Sequence, residues 1–479
     1  MSELVAHHLV AGHWEQPHGI REVHPSPVAA RVGTIVGDAT SEQVCRALHA
    51  ASAAQHDWST VPPAIRAANL AAAADRLAGA IGEIAPELSR EVGKTLAESR
   101  GEIENAVKLL RFYAGSALRP EGKQFPTGRH STLAVASRRP RGVVLVISPW
   151  NFPVNLTVLK LAPALAMGNA VIVKPSPMAG RTTELLLRAL APALPSGLVA
   201  LLHGGSAVGE MLVDADEVAA VSFTGSTGVG RAIGHRVATR GIPYLAEMGG
   251  KNVLYADRGA DLEATLDAAL GGAFGMAGQK CTATSLLMVH ADIASAITCR
   301  LRDRAAESSF RVGDPFAETT VIGAMVSAAA TDRVAAIVAE ATDAGAEPVW
   351  FAGTADDPEP TYPRPVALLN PPEHVRAYRD EVFGPVLSVV PVPDLDHAVT
   401  RINRLGYGLV SSIYTDDLSA AMSFSSRVRT GTVMVNQPTT GLDHNVPFVG
   451  WGDSGLGGLE QSDAALDFYT NTKTTYLSW

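Results

Sequence analysis

From Gly142 onward the chain sets short runs of aliphatic and β-branched residues, Val143 to Ser148, Ala170 to Lys174, Leu198 to Leu202 and Ala219 to Phe223, between segments that read as helices. Each run is the length of a buried strand, and each interval holds one crossing helix. Such alternation permits few folds. Its strands must lie parallel in a doubly wound sheet, joined by right-handed crossovers, with ligands at their C-terminal ends. A second series starts after Gly249. Strands are expected there near 285–290, 386–392, 411–415 and 432–436, and helices near 261–275, 292–308, 394–404 and 417–428. Two α/β units are the natural outcome for 479 residues, too many for one simple core.

Upstream the chain is alanine-rich and reads as helical. Ser41 is placed to cap a helix carrying Val44, Leu48 and Ala51, and a second helix turns Ile65, Leu70, Ala73 and Leu77 to one face. A third runs from about Thr95 to Leu118 until Pro120, Gly122, Pro126 and Gly128 break the pattern, so a loop or excursion follows. At the far end Phe468 to Leu477 alternates as a strand, and terminal strands commonly pair with a neighbour's sheet edge.

Composition narrows the partners. Hydrophobic residues make up 47% of the chain, yet no stretch approaches the roughly 20 uninterrupted apolar residues of a membrane helix. The start, Met1-Ser2-Glu3, has neither the basic beginning nor the apolar run of a secretion signal, so a soluble cytoplasmic protein is expected. A net charge of −9 with scattered acids and bases argues against nucleic acid and for small molecules. Cys45, Cys281 and Cys299 are far apart, lack any Cys-x-x-Cys spacing, and predict no metal site. In a reducing compartment one such cysteine can be inert or a nucleophile.

Five segments carry candidate chemistry. The first strand delivers Ser148-Pro149-Trp150-Asn151-Phe152-Pro153 at its C-terminal end, where the Asn151 amide could donate to a developing oxyanion. The second ends in Lys174-Pro175-Ser176, whose lysine suits a ribose hydroxyl or a phosphate. The fourth runs into Thr224-Gly225-Ser226-Thr227-Gly228-Val229-Gly230, where backbone N–H groups at a helix start suit a pyrophosphate. Then comes Glu247-Met248-Gly249-Gly250-Lys251, followed 34 residues later (281 − 247) by Cys281 in Gly278-Gln279-Lys280-Cys281-Thr282. A carboxylate among glycines can reach a substrate, and a lysine beside a cysteine favours thiolate. Taken singly, each segment also fits a plain structural role: a proline-bounded turn, a solvated lysine, a tight strand-to-helix turn, a packed cysteine. Asn, Glu and Cys set around a nucleotide-like loop are harder to explain that way.

In order and spacing these segments resemble the aldehyde dehydrogenase superfamily over nearly the whole chain. Glu381-Val382-Phe383-Gly384-Pro385, Asn403 to Leu409, and Pro447-Phe448 resemble further family signatures. The resemblance implies an α/β fold with a Rossmann-like doubly wound cofactor domain, a second α/β catalytic domain and a small β oligomerisation extension. By the same likeness, residues 1–124 and 142–248 with part of 443–464 form the NAD(P) domain, 249–442 the catalytic domain, and 125–141 and 465–479 the oligomerisation strands. A homodimer or homotetramer is implied.

The resemblance also assigns roles. Cys281 attacks an aldehyde, the Asn151 amide and the Cys281 N–H hold the oxyanion, hydride leaves to the nicotinamide, and Glu247 activates the water that hydrolyses the thioester. Acyl-transferring members that use coenzyme A usually lack that glutamate, so hydrolysis is favoured. A catalytically retired scaffold would have no reason to keep all three residue types. For the cofactor, the likeness implies Ser148, Pro149, Trp150, Lys174, Ser176, Pro177, Gly225, Ser226, Gly249, Glu381 and Phe383. NAD-preferring members often carry a glutamate where Pro177 stands, so NADP is at least tolerated, with Arg181 or Lys174 available to its extra phosphate. The C-terminal signature departs from the family at Val449 and Gly452, which touches loop geometry near the substrate mouth. The substrate pocket is expected to include Asn105, Asn155, Leu159, Lys280, Thr282, His444 and Phe448, polar enough for a short or polar aldehyde. Gln279 to Ser285 and Asn436 to Pro447 resemble the 2-oxoglutarate semialdehyde (2,5-dioxopentanoate) dehydrogenase branch, and an aldehyde of a specialised biosynthetic pathway is the other contender.

Overall fold

The computed structural model of the chain describes residues 4–19, 21–28, 31–119, 122–307, 310–351 and 359–479. Met1 to Glu3 and Pro120, used in the sequence reading, lie outside the described residues.

Two large sheets organise the molecule. The first has eight strands, ordered Gly455–Leu456, Tyr244–Glu247, Val218–Thr224, Val143–Ser148, Ala170–Pro175, Val199–Leu201, His8–Val10 and His13–Glu15. Its five middle strands are parallel, and antiparallel strands close both edges. Val143–Ser148 and Ala170–Pro175 are near-continuous apolar runs because helices cover both faces of a parallel sheet. The chain leaves Val143–Ser148 toward one side first and returns to its other side with Val218–Thr224, which makes the gap between these two strands the topological switch point. Register brings Ser148 level with Pro175 and Thr224 level with Glu247, so the chemical segments emerge together.

The second sheet has seven strands, ordered Glu347–Trp350, Val366–Leu369, Val386–Val392, Thr284–His290, Asn252–Ala256, Val410–Tyr414 and Thr432–Val435. All are parallel except the Glu347–Trp350 edge. Each sheet has its own buried apolar core, one drawn from Leu9 to Met248 plus Ala465 to Tyr469, the other from Val253 to Val428. The break between the cores falls within Gly249 to Asn252.

Several local expectations are corrected. Among the described residues of the first forty none is helical, and the strands there are Leu4–Val5, His8–Val10, His13–Glu15, Arg21–His24 and Thr34–Gly37. The first helix, Ser41–Thr60, is capped by Thr40, not Ser41, because Thr40 and Gln43 form a reciprocal capping box. Ile65 is 51% exposed; the buried face of Pro63–Gly79 is set by Arg66, Leu70, Ala73 and Leu77, and Arg66 survives burial by donating to the Ala166 and Val61 carbonyls. Helices Ile81–Val92 and Ala328–Asp343 were not anticipated.

The break after residue 118 proves to be two strands, Gly122–Phe125 and Thr132–Pro140. They form a three-stranded antiparallel sheet with the terminal strand, which runs Thr470–Ser478 while Phe468 sits in a short helix. The terminal strand thus pairs with its own chain along Thr132–Pro140, and among the described residues its other edge carries no strand. Among the described residues no helix is long and apolar enough to cross a membrane.

Candidate active site

The two sheets face each other in opposite senses. Ser148, Thr224 and Glu247 end strands of the first sheet, whereas Cys281 and Glu381–Gly384 precede the strands Thr284–His290 and Val386–Val392 of the second. C-terminal strand ends of one unit therefore meet N-terminal strand ends of the other, and two connected sets of cavity-lining residues lie at this meeting.

The larger is a cleft of about 550 Å³ at the switch point. Ser148, Pro149, Trp150, Lys174, Ser176, Pro177, Gly225 and Ser226 all line it. Ser226 precedes the helix Thr227–Arg240 without its side chain capping it, leaving N–H groups of the first turn for a ligand. The Gly225 N–H is already donated to the Glu247 carbonyl. Burial lowers the Lys174 ammonium to about 8, with Asp38 pulling the other way. Arg181 does not reach this cleft: its guanidinium pairs with Glu184, which corrects its expected place beside a cofactor phosphate.

The smaller cavity, about 260 Å³, is shared by Pro149, Trp150, Asn151, Gly225, Ser226, Gly249, Cys281, Glu381 and Phe383. It brings the nucleophile candidate, the amide candidate and the two loop residues onto one wall system. Leu156, Thr224, Met248 and Arg333 complete it. Asn151 is buried and donates from Nδ2 to the Gln279 carbonyl at 3.1 Å, which ties its amide to the loop carrying Cys281. That loop is strained: Met276 and Ala277 have φ of 54° and 52°, and Gly278 at φ 70° packs so close to the Gly384 carbonyl that a Cβ would lie 2.2 Å from its oxygen. Phe383, itself at φ 52°, meets Trp150 edge-on with centroids 5.6 Å apart. At Gly249 a Cβ would lie 2.2 Å from the Glu381 carboxylate, so any larger residue there would displace that side chain.

Burial sets the protonation of the ionisable groups. The Cys281 thiol is pushed up to about 12, first by burial and then by Glu381 and Glu247. The expectation that Lys280 would favour the thiolate is therefore corrected for this state: burial lowers the lysine's own pKa, and the carboxylates outweigh it. Glu381 is pushed up to about 7 by burial, against a 3.1 Å bond from the Gly250 N–H and the charges of Lys251 and Arg333. Glu247 is buried, lines neither cavity, and accepts from the Gly450 N–H at 3.3 and 3.1 Å. Burial and the neighbouring Glu460 raise it well above the carboxylate range, with Lys160 and the Gly450 N–H opposing.

The residues expected around the substrate line neither cavity and lie in the packing around them. Asn105 donates to Asn155 at 2.8 Å, and the Thr282 carbonyl accepts from Thr439 at 2.8 Å. His444 stands edge-on to Phe112 at 5.6 Å, and Phe448 packs in a small apolar cluster touching Cys281. Lys280 adjoins the nucleophile candidate, while Leu159 is buried in the first core and lines neither cavity.

Three residues at the site escaped the sequence reading. Arg333 rides on the unanticipated helix Ala328–Asp343. Lys160 and Glu460 form a buried ion pair across 300 positions beside Glu247. Lys160 was legible only as a charged residue within an apolar helix, Asn155–Ala166, a signal that calls for a partner without naming it.

Comparison with known proteins identifies the family of the chain. The model of the family described as "Aldehyde dehydrogenase family" matches residues 14–475. The chain is 36% identical over 445 residues to the 2,5-dioxopentanoate dehydrogenase of Saccharolobus solfataricus, covering 92% of each chain. Among solved structures, the NADP-dependent glyceraldehyde-3-phosphate dehydrogenase of Bacillus halodurans complexed with NADP superposes with a TM-score of 0.93 at 29% identity, over 99% of this chain and 100% of the other. The betaine aldehyde dehydrogenase of Staphylococcus aureus in complex with NAD+ has a TM-score of 0.93 at 27% identity, over 99% and 94%.

Proposed function

Because this chain belongs to the aldehyde dehydrogenase family and is an NAD(P)-dependent oxidoreductase of aldehydes, we propose that Cys281 is its nucleophile, Asn151 its oxyanion donor and Glu247 its hydrolytic base. The observation that carries this reading is the shared wall: Cys281 and Asn151 line one cavity with the residues proposed for the nicotinamide side, and Glu247 ends the strand beside it. The cofactor domain, catalytic domain and terminal strands are proposed to divide as the sequence reading has them.

Cofactor and cleft fit one another on this structure's own features: a switch-point cleft of about 550 Å³ and a helix start left uncapped by a side chain. Lys174, Ser176 and Pro177 are assigned to the adenosine ribose, Gly225 and Ser226 to the pyrophosphate, and Ser148, Pro149, Trp150, Gly249, Glu381, Phe383 and Arg333 to the nicotinamide half. When bound, NAD(P) supplies the hydride acceptor that turns the Cys281 thiohemiacetal into a thioester.

The protein's own groups do the rest. Cys281 stays a thiol until a carbonyl lies against it, which protects it from adventitious chemistry. As its sulfur bonds to the aldehyde carbon the thiol proton passes to Glu247, which releases it to solvent before deacylation, and the oxygen's growing charge is met by the Asn151 amide and the Cys281 N–H. Glu247, ionised again and kept a strong base by burial, then takes a proton from water as that water attacks the thioester and hands it to the departing Cys281 sulfur, releasing the acid and restoring the thiol. A base at this place favours hydrolysis over transfer to coenzyme A.

Asn105, Asn155, Leu159, Lys280, Thr282, His444 and Phe448 are proposed for the substrate side. The Asn105–Asn155 pair and Lys280 make this a polar wall, suited to a short polar aldehyde; the Saccharolobus relative makes 2,5-dioxopentanoate the first to try. A cytoplasmic homodimer or homotetramer is the accompanying reading.

A panel of short aldehydes with each cofactor, with and without coenzyme A, tests the proposal by NAD(P)H formation. Free acid is expected without coenzyme A, and Cys281→Ala is expected to abolish turnover. Glu247→Gln is expected to keep a single burst of NAD(P)H while slowing turnover on the order of 10²- to 10⁴-fold. A Glu247→Gln variant without a burst, its cofactor binding intact, would overturn the base assignment.

A further inference from the structure

Beside Asn151, and outside the residues assigned above, lies a buried ion pair that lines neither of the two cavities. Lys94 and Glu102 are both buried, and their side chains are in direct contact. Lys94 follows Gly93, the left-handed C-cap of Ile81–Val92, and Glu102 lies on the next helix, Leu96–Ser116. A fully buried lysine and glutamate are costly unless every polar atom has work. Here both are spent on the turn that carries Asn151. The Lys94 ammonium donates to the Asn151 carbonyl at 2.6 Å and stands 4.2 Å from the centre of the Phe152 ring. The other oxygen of Glu102 accepts from the Val154 and Asn155 N–H groups, at 2.8 and 3.0 Å, and so caps the helix Asn155–Ala166.

The contacts close into a ring across the two units. Gly93 accepts from the Ala324 N–H at 2.8 Å, Ala324 accepts from the Gln279 side chain at 3.5 Å, and Gln279 accepts from the Asn151 amide at 3.1 Å. Asn151 is thus gripped at its backbone carbonyl from one side and at its side-chain amide from the other. With one Nδ2 hydrogen taken by Gln279, only the second remains for a substrate oxygen, and its direction depends on how the 151–155 turn is held.

We propose that Lys94 and Glu102 are positioning residues for the reaction at Cys281, holding the Asn151–Asn155 turn so that the free amide hydrogen faces the reacting carbonyl. This rests on Asn151 being the oxyanion donor. Neither residue touches substrate; each acts through Asn151, where misplacement by about 1 Å is enough to cost on the order of 10²-fold.

The test is a double-mutant cycle read on the NAD(P)H burst rate. Lys94→Met combined with Glu102→Gln removes both charges together and leaves an acceptor for the 154 and 155 N–H groups, so no lone ion stays buried. The burst is expected to slow roughly 10- to 100-fold, with KM and NAD(P)H binding little changed. In an Asn151→Ala background the same pair of substitutions should cost less than about twofold. If the pair slows the burst equally in both backgrounds, or not at all while Asn151→Ala does, the proposal is overturned. An unslowed burst in Asn151→Ala alone would overturn the oxyanion reading instead. Should the double variant fail to fold, Glu102→Asp keeps both charges but withdraws the carboxylate by one methylene, and the same cycle is then run on Glu102→Asp and read in the same way.

Discussion

Glu381 shows how much of this site's chemistry is decided by one residue's surroundings. Its side chain is pressed onto the backbone of Gly249 and Gly250, where no Cβ intervenes, and burial pushes it up to about 7. A carboxylate accepts two hydroxyl hydrogens better than a carboxylic acid does, so its proposed hold on the nicotinamide ribose needs the ionised form. The sign follows: the ionised fraction falls as pH drops through 7, and cofactor affinity should fall with it. Titrating NAD(P)H binding by fluorescence between pH 5.5 and 8.5 is expected to show Kd rising roughly tenfold per unit on the acid side of about 7. Glu381→Gln should bind more weakly and flatten the profile; an unchanged slope in that variant would remove Glu381 from the ribose. For the proposed base Glu247 the direction is the same: burial and Glu460 favour its protonated form, so hydrolysis needs the fraction that has ionised.

At the scale of elements, the strand Ala170–Pro175 and the turn after it are proposed to set which dinucleotide binds. Its end presents Lys174, Ser176 and Pro177 to the cleft, and no carboxylate stands at the Pro177 position. Pro177→Glu places a negative charge where a 2′-phosphate would sit, and kcat/KM with NADP is expected to fall roughly 10- to 100-fold relative to NAD. A selectivity ratio that does not move would place the adenosine ribose elsewhere. This element was legible because a parallel strand covered on both faces must be an unbroken apolar run, and its polar end then stands out. The four strands from Val143 to Phe223, with Asn151 after the first, were readable for that reason, whereas the Glu247 and Cys281 segments were read from their residue types and their likeness to the family. The helix Ala328–Asp343, with Arg333, was not: its buried face of Val334, Ile337, Val338 and Ala341 is spaced for a helix but lies in an alanine-rich stretch without catalytic residue types to draw attention. Pairs such as Lys160 with Glu460, and Lys94 with Glu102, escape for a different reason. Sequence shows Lys160 as a charge in an apolar helix and Lys94 as a charge in a loop, whereas the partner of each is chosen by tertiary packing.

Across the whole molecule, the terminal strand Thr470–Ser478 is the least finished part of the fold. Nine residues of it pair with Thr132–Pro140, and among the described residues the opposite edge carries no strand. Tyr476, Leu477 and Trp479 are 61, 51 and 82% exposed on it, and an unpaired edge with large apolar side chains is a place where chains associate. Neither catalytic cavity draws on residues of this strand, so assembly and chemistry can be separated by substitution. Tyr476→Glu with Trp479→Glu puts like charges at the same place on every copy, which opposes any symmetric contact made there. Sedimentation of the wild type is expected to give a multiple of the 50.0 kDa chain, and the double variant a species of 50.0 kDa that still binds NAD(P)H. A variant that keeps the wild-type mass would locate the contact elsewhere. A wild type that sediments as one chain at micromolar concentration would leave the open edge without a partner of its own kind.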